Sequence, residues 1–150
     1  MKDFLIILKE TLLHGIIPGS LIIVYKGNSK KRKFLLTKVK HSNMVTFPSG
    51  SIGWGENYKL AAIRELYEET GIKAYNIIEL PVIHTFKYKN IIFRPRSLQH
   101  VFLCKISNNI NFKLQSKETI WFGWENEDNV KKHISHKELV ATFNKALRYL

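Results

Sequence analysis

The chain has 150 residues, 45% of them hydrophobic, which suits one folded domain over 1–150 with a real core. It holds no run of about 18 consecutive apolar residues, which argues against a membrane-spanning helix. Its 24 Lys and Arg face 12 Asp and Glu, a net charge of +12. That excess points to polyanionic partners such as nucleotides, RNA ends or inositol phosphates, or reflects only a composition rich in Lys, Ile and Asn.

In chain order, the first segment reads as an amphipathic helix with Phe4, Leu5, Leu8 and Leu12 on its apolar side. Lys9 and Glu10 interrupt it and no small-residue cleavage site follows, so it does not read as a signal peptide. Leu21 to Tyr25 and Phe34 to Val39 read as strands on either side of a hairpin that carries Lys30-Lys31-Arg32-Lys33. Met44 to Phe47 is a short strand ending at Pro48. A helix follows from Tyr58 to Thr70, with Asn57 as N-cap and Gly71 placed to close it in a left-handed conformation. Asn76 to Leu80, Val82 to Tyr88, Leu98 to Ile106 and Thr119 to Trp124 have strand composition. The lone cysteine, Cys104, sits in one of these runs as a small apolar residue, so no disulfide forms within the chain. A short helix is expected over Glu127 to His133. A last one is expected from Ser135, where Ser135 and Glu138 form an S-x-x-E cap and Leu139, Phe143, Ala146, Leu147 and Leu150 form the stripe. The default location is the cytoplasm.

The central helix carries the chemistry. Glu65 and Glu69 are four residues apart and share a face, and Glu68 lies one turn from Glu65. Like charges at that spacing destabilise a bare helix, so structure alone explains them poorly. Three carboxylates near one point are an oxygen cage for a hard divalent cation, Mg²⁺ or Mn²⁺. The opposite face, with Leu60, Ile63, Leu66 and Tyr67, is free to pack on a sheet. Ala61 leaves room for a substrate on the acidic side. Ahead of the helix, Gly50, Gly53 and Gly55 make a close-approaching loop that can offer carbonyls to a metal and amides to phosphate.

Written as spacing, Gly50 to Ile72 is Gly50, five residues, Glu56, seven residues, then Arg64-Glu65-Leu66-Tyr67-Glu68-Glu69-Thr70-Gly71-Ile72. It resembles the Nudix box, G-x5-E-x7-R-E-U-x-E-E-x-G-U with U aliphatic, at every fixed position. Chance would produce such a match roughly once in ten million chains of this length. The resemblance implies an α/β fold, the Nudix α/β/α sandwich with a mixed β-sheet. It implies hydrolysis of a pyrophosphate bond in a nucleoside diphosphate linked to another group. It also implies that Ser49, just before the first box glycine, gives its carbonyl to the metal, and that Arg64 pairs with the box carboxylates and orients them. Nudix enzymes often add a glutamate about six residues before a late tryptophan; here that is Glu118, six before Trp124. Catalysis is thus expected from Arg64, Glu65, Glu68 and Glu69, and metal ligation from Ser49, Glu65, Glu68, Glu69 and Glu118.

Lys38 and Lys40, on a strand expected to run toward the loop, are phosphate-binding candidates together with Gly50. Trp54 lies in the loop where the fold needs no apolar bulk, and it joins Phe122, Trp124 and Tyr88 as aromatics able to stack on a base. His41, His84 and His100 form no ligand set and read as structural or substrate-edge residues. Within the family, the length, the phrase KVKHSNMVTFPSG and the closing segment look most like dinucleoside tetraphosphate hydrolases and RNA pyrophosphohydrolases. Pro48-Ser49-Gly50-Ser51 departs from the Pro-Lys-Gly-His or Pro-Gln-Gly-Gly common there. The expected substrate is a dinucleoside polyphosphate or nucleoside triphosphate, with an RNA 5′ end and a non-catalytic nucleotide sensor as the alternatives. No membrane partner is expected, and a monomer or homodimer fits.

Overall fold

The computed structural model describes residues 9, 11, 13–40, 43–89, 95–110 and 119–150, the side chains of residues 121 and 122 excepted. Residues 9, 11, 13 and 14 are helical, whereas Phe4, Leu5, Leu8 and Leu12 lie outside the described residues. Then come β1 (Ile16–Lys26), β2 (Lys33–Val39), β3 (Val45–Thr46), β4 (Ser49–Ser51), α1 (Tyr58–Thr70), β5 (Ile77–Lys87), β6 (Arg96–Lys105), β7 (Thr119–Glu125), α2 (Glu127–His133) and α3 (Lys137–Ala146). One mixed sheet runs β3-β2-β1-β6-β5, with β4 paired to β1 and β7 to β2. β1 and β6 are parallel over ten residue pairs, Ile16↔Arg96 to Tyr25↔Lys105, and the remaining pairs are antiparallel.

Seven consecutive residues of β1, Pro18 to Val24, are buried. A strand covered on both faces has no need to alternate polar and apolar residues, and this one does not. Leu21 and Ile23 point into one core with Phe34, Leu36, Val101, Leu139 and Phe143. Ile22 and Val24 point into the other with Leu35, Ala62, Leu66, Phe102 and Cys104. The helices therefore lie on both faces of the sheet, α1 on one and α2 with α3 on the other. Phe143 is fully buried, edge-on to Phe34 at 4.9 Å between ring centroids and 5.4 Å from Phe47. Phe143→Ala should cost about 3–5 kcal/mol, read by urea denaturation, because that hole is lined by rigid rings that cannot collapse into it.

Four expectations are corrected. α3 begins at Lys137, not Ser135: the Ser135 hydroxyl accepts from the Val45 amide at 3.2 Å, and His136 is an N-cap whose side chain makes no capping bond. The two expected strands around Pro81 are one strand, β5, whose register with β6 shifts between Glu79 and Ile83. β5 lies at a sheet edge, where proline costs no ladder bond. On α1, Leu60 and Tyr67 are exposed, and the buried face is Ala61, Ala62, Leu66 and Thr70. Ala61, expected to leave room for substrate, is fully buried: the two small alanines let the helix close on the sheet. Asn57 and Gly71 act as expected. The Asn57 side chain accepts from the Leu60 amide at 2.8 Å, and Gly71 adopts φ 72°.

Candidate active site

β1 shares one edge between two partners. Near the hairpin it pairs with β2, through Tyr25 and Lys26. At its other end Gly19, Ser20 and Leu21 pair with Ser51, Gly50 and Ser49 of β4. That pairing fixes the start of the glycine loop against the sheet. The buried Ser20 hydroxyl donates to the Tyr58 carbonyl at 2.6 Å, which fixes the start of α1 to the same strand. Loop and helix therefore hang from three consecutive residues of β1.

The contact is close. A Cβ on Gly19 would lie 2.6 Å from the Gly50 carbonyl oxygen, and a Cβ on Gly50 would lie 2.0 Å from Cδ of Glu65. Two bare backbones and a carboxylate are stacked with no room for a methyl group. Gly50 was expected in the site from its place in the loop. Gly19 was missed, although a glycine inside an apolar strand is the available sign of close backbone approach.

Arg64 sits at the centre of the acidic groups. Its Nε donates to Glu56 Oε1 at 2.6 Å, and its terminal nitrogens donate to Glu56 Oε2 at 3.0 Å, Glu65 Oε1 at 2.7 Å, Glu68 Oε2 at 3.0 Å and the Ser51 carbonyl at 2.9 Å. The planar fork of guanidinium donors suits this divergent set in a way that a lysine would not. Glu56 also accepts from the Gly53 amide at 2.8 Å, so the helix holds the loop through the arginine. Glu69 makes a separate link: its Oε1 accepts from the Ser49 amide at 3.3 Å.

These contacts set the charge states. The Arg64 hydrogen bond holds the Glu56 carboxyl below the usual carboxylate range, against the opposing effect of burial. Glu65 moves the other way. Burial raises its pKa, and the Arg64 hydrogen bond and charge offset only part of that. Arg64 is held above its usual range, first by its bond to Glu56. The two box carboxylates are thus shifted in opposite directions.

The expected ligands, three carboxylates and the Ser49 carbonyl, are all oxygen, the chemistry a hard cation takes. Gly50 supplies the space that the Glu65 carboxylate fills. Arg64 takes one oxygen each of Glu65 and Glu68 and leaves the other for a second partner. The sequence places Glu65, Glu68 and Glu69 around one point. Among the described residues, however, no three His, Cys, Asp or Glu side chains gather closely enough to hold an ion, because Arg64 draws Glu65 and Glu68 toward itself and Glu69 reaches for Ser49.

The other candidates are more scattered. Lys38 is half-buried in β2 between Val45 and Trp121, and Lys40 is exposed in the turn beyond. Trp54 stands 86% exposed on the loop. Phe122 pairs with Thr37 in the β2–β7 ladder, and its side chain is outside the described residues, as are Glu118 and His41. Trp124 packs beside the α1-side core with the Lys26 ammonium 4.3 Å from its ring centroid. Tyr88 is half-buried and edge-on to Phe86. His84 is buried on Thr142 at 2.9 Å, and burial pushes its pKa down to about 4, so it is a neutral structural group. His100 stacks on Tyr58 at 3.6 Å and meets Glu79 at 2.5 Å, a support for the first turn of α1.

A family model described as the NUDIX domain matches residues 17–143. No curated protein matches the sequence significantly. Among solved structures the chain is similar to a C. elegans Ap4A hydrolase in a binary complex, at 23% identity and TM-score 0.73 over 89% of this chain and 99% of that one. It is similar to the E. coli dihydroneopterin triphosphate pyrophosphohydrolase, at 16% identity and TM-score 0.73 over 85% and 92% of the two chains. It also resembles the NUDIX domain of Shewanella oneidensis NrtR complexed with ADP ribose, at 16% identity and TM-score 0.69 over 97% of both. At these identities the structures speak for the fold, and among the described residues no helix is long and apolar enough to cross a membrane. The family match over most of the chain, on a fold that hangs the box loop and helix from one strand, makes this chain a member of the Nudix family of phosphoric anhydride hydrolases.

Proposed function

We propose that the substrate is a dinucleoside polyphosphate or a nucleoside triphosphate, cleaved within one domain over 1–150 that works as a monomer or homodimer. The observation that carries this reading is Trp54, a large aromatic 86% exposed on the loop that precedes the catalytic helix. Such a ring suits one stacked base, and the helix beside it carries the carboxylates. The similarity to an Ap4A hydrolase supports the same choice.

Water adds to phosphorus, the bridging P–O bond breaks, and two phosphate-bearing products leave. Mg²⁺ or Mn²⁺ bound by Glu65, Glu68, Glu69, the Ser49 carbonyl and Glu118 would stabilise charge on the attacking and leaving oxygens. The chain's own residues do the rest. Arg64 holds Glu56, Glu65 and Glu68 in fixed orientation and cancels part of their repulsion. Glu69 holds Ser49 through its amide. Glu65, whose pKa burial raises, suits the proton released by water. Lys38, Lys40 and the Gly50 amide are assigned to the substrate phosphates, with Phe122 as a second stacking residue.

A second reading, hydrolysis at an RNA 5′ end, is favoured by the net charge of +12. Both are tested with a substrate panel in Mg²⁺ or Mn²⁺, products separated by chromatography. Diadenosine tetraphosphate should exceed a short 5′-triphosphate RNA in kcat/KM. An RNA advantage of tenfold or more near physiological salt would reverse the choice. No turnover on any nucleotide with either metal would leave a nucleotide-sensing domain.

A further inference from the structure

At the hairpin end of the sheet, away from the β1–β4 pairing that carries the box loop, the surface holds two open clefts of about 730 and 610 Å³. They share Lys105, Ile106 and Ser107, so they form one continuous groove. Its lining has a marked chemical bias. Lys30 and Lys31 come from the hairpin, Lys105 from the end of β6 and Lys59 from the first turn of α1. Among the described residues, no Asp or Glu lines either cleft.

The second component is aromatic. Tyr75 is 78% exposed, Tyr149 is 52% exposed, and both line the larger cleft beside the exposed Ile78. Exposed large apolar side chains scattered singly need no explanation, but three in one cleft do. Tyrosine rings with lysines interleaved along an open track are the combination that binds single-stranded nucleic acid. The cations follow the backbone, and the rings accept any base by its π-face. An inorganic or lipid phosphate would use the lysines and leave the tyrosines unexplained. An acidic peptide would gain little from two stacking platforms without a deep pocket.

We propose that this groove is a binding track for single-stranded RNA, separate from the hydrolytic site. It runs over the hairpin and the sheet end, it is too open to enclose a small ligand, and the charged residues among its described lining are all lysines. It stands whichever small substrate the box cleaves, because Lys59, at a variable position, is the only residue of Gly50 to Ile72 among the described residues that line it.

The test is fluorescence anisotropy of the full chain with a labelled oligo(U) of about twelve nucleotides over a range of salt. Four lysine contacts predict a slope of log K against log salt of about −3, at about −0.7 per phosphate on a single strand. Lys105→Glu, and separately Lys30→Glu with Lys31→Glu, should each weaken binding about tenfold or more. Tyr75→Ala with Tyr149→Ala should weaken it about fivefold or more at fixed salt. Glu69→Gln should leave RNA affinity within about twofold, which keeps the groove distinct from the box carboxylates. Unchanged affinity in the lysine variants overturns the proposal. So does inorganic polyphosphate of matched charge binding as tightly as RNA with no effect of the tyrosine variants. Recruitment through these lysines to phosphatidylserine vesicles, with no RNA bound, would assign the surface to a membrane and overturn it as well.

Discussion

Glu69→Gln is expected to keep the fold and lower kcat by about two to four orders of magnitude, the scale of losing a positioned base or charge clamp. Glutamine has the shape of glutamate and keeps one acceptor oxygen. The bond from the Ser49 amide, 3.3 Å in the parent, can therefore survive the change, and the loop stays attached to the helix. What disappears is one negative charge and one anionic oxygen donor. The experiment compares kcat at saturating metal and checks the thermal midpoint of both proteins. A midpoint near the parent's with a large loss of kcat assigns Glu69 to the chemistry. A loss under threefold would remove it from the site.

Gly50→Ala is the second large effect, and it works through space rather than charge. The new methyl would sit 2.0 Å from Cδ of Glu65, so one of the two groups must move. Gly50 is locked in the β1–β4 ladder, whereas the carboxylate is the end of a rotatable side chain. The carboxylate therefore moves, the fold remains, and the 2.7 Å bond to Arg64 breaks. A displacement of about 1 Å in a catalytic group costs roughly a hundredfold in rate, which is the expected loss in kcat. Gly55→Ala makes a useful contrast. Gly55 also lies in the loop, but nothing surrounds its Cβ position, so only its φ of 73° opposes a side chain. If Gly50→Ala retains full kcat with an intact fold, Glu65 is not held in place for catalysis.

The elements that the sequence made legible are those with local causes. α1 runs over Tyr58–Thr70 as expected because an Asn N-cap and a left-handed Gly are decisions taken within one turn. α2 likewise spans Glu127–His133, with Asn126 capping the Asn129 amide. Where a distant residue intervenes, local reading fails. Ser135 carries a good capping pattern, yet its hydroxyl is engaged by Val45, ninety positions away. Leu60 and Tyr67 look like a packing face by composition, but the approach of α1 to the sheet is set by Ala61 and Ala62.

The same division holds at the site. The resemblance to the box implied that Arg64 pairs with the carboxylates, and helix spacing accounts for one of them, Glu68, four residues on. What the sequence did not reveal is the bond from Arg64 to the Ser51 carbonyl, on a loop whose path depends on β1. The basic run Lys30 to Lys33 read only as part of a hairpin. Lys59 and Lys105 are far from it in sequence, and only the parallel alignment of β1 with β6 brings Lys105 opposite Tyr25 at the hairpin end.

The Gly19–Gly50 contact changes what counts as the transferable unit of this enzyme. The loop and helix from Gly50 to Ile72 look like a cassette that could be moved to another scaffold. Their geometry is nevertheless set by a neighbouring strand that offers a bare backbone 2.6 Å from the Gly50 carbonyl at the place where a Cβ would stand. A recipient strand with any side chain at that register would push the loop outward and tilt the carboxylates away from one another. Grafting must therefore carry residues 19 to 21 along with the cassette, and a redesign of β1 for stability has to leave Gly19 as it is.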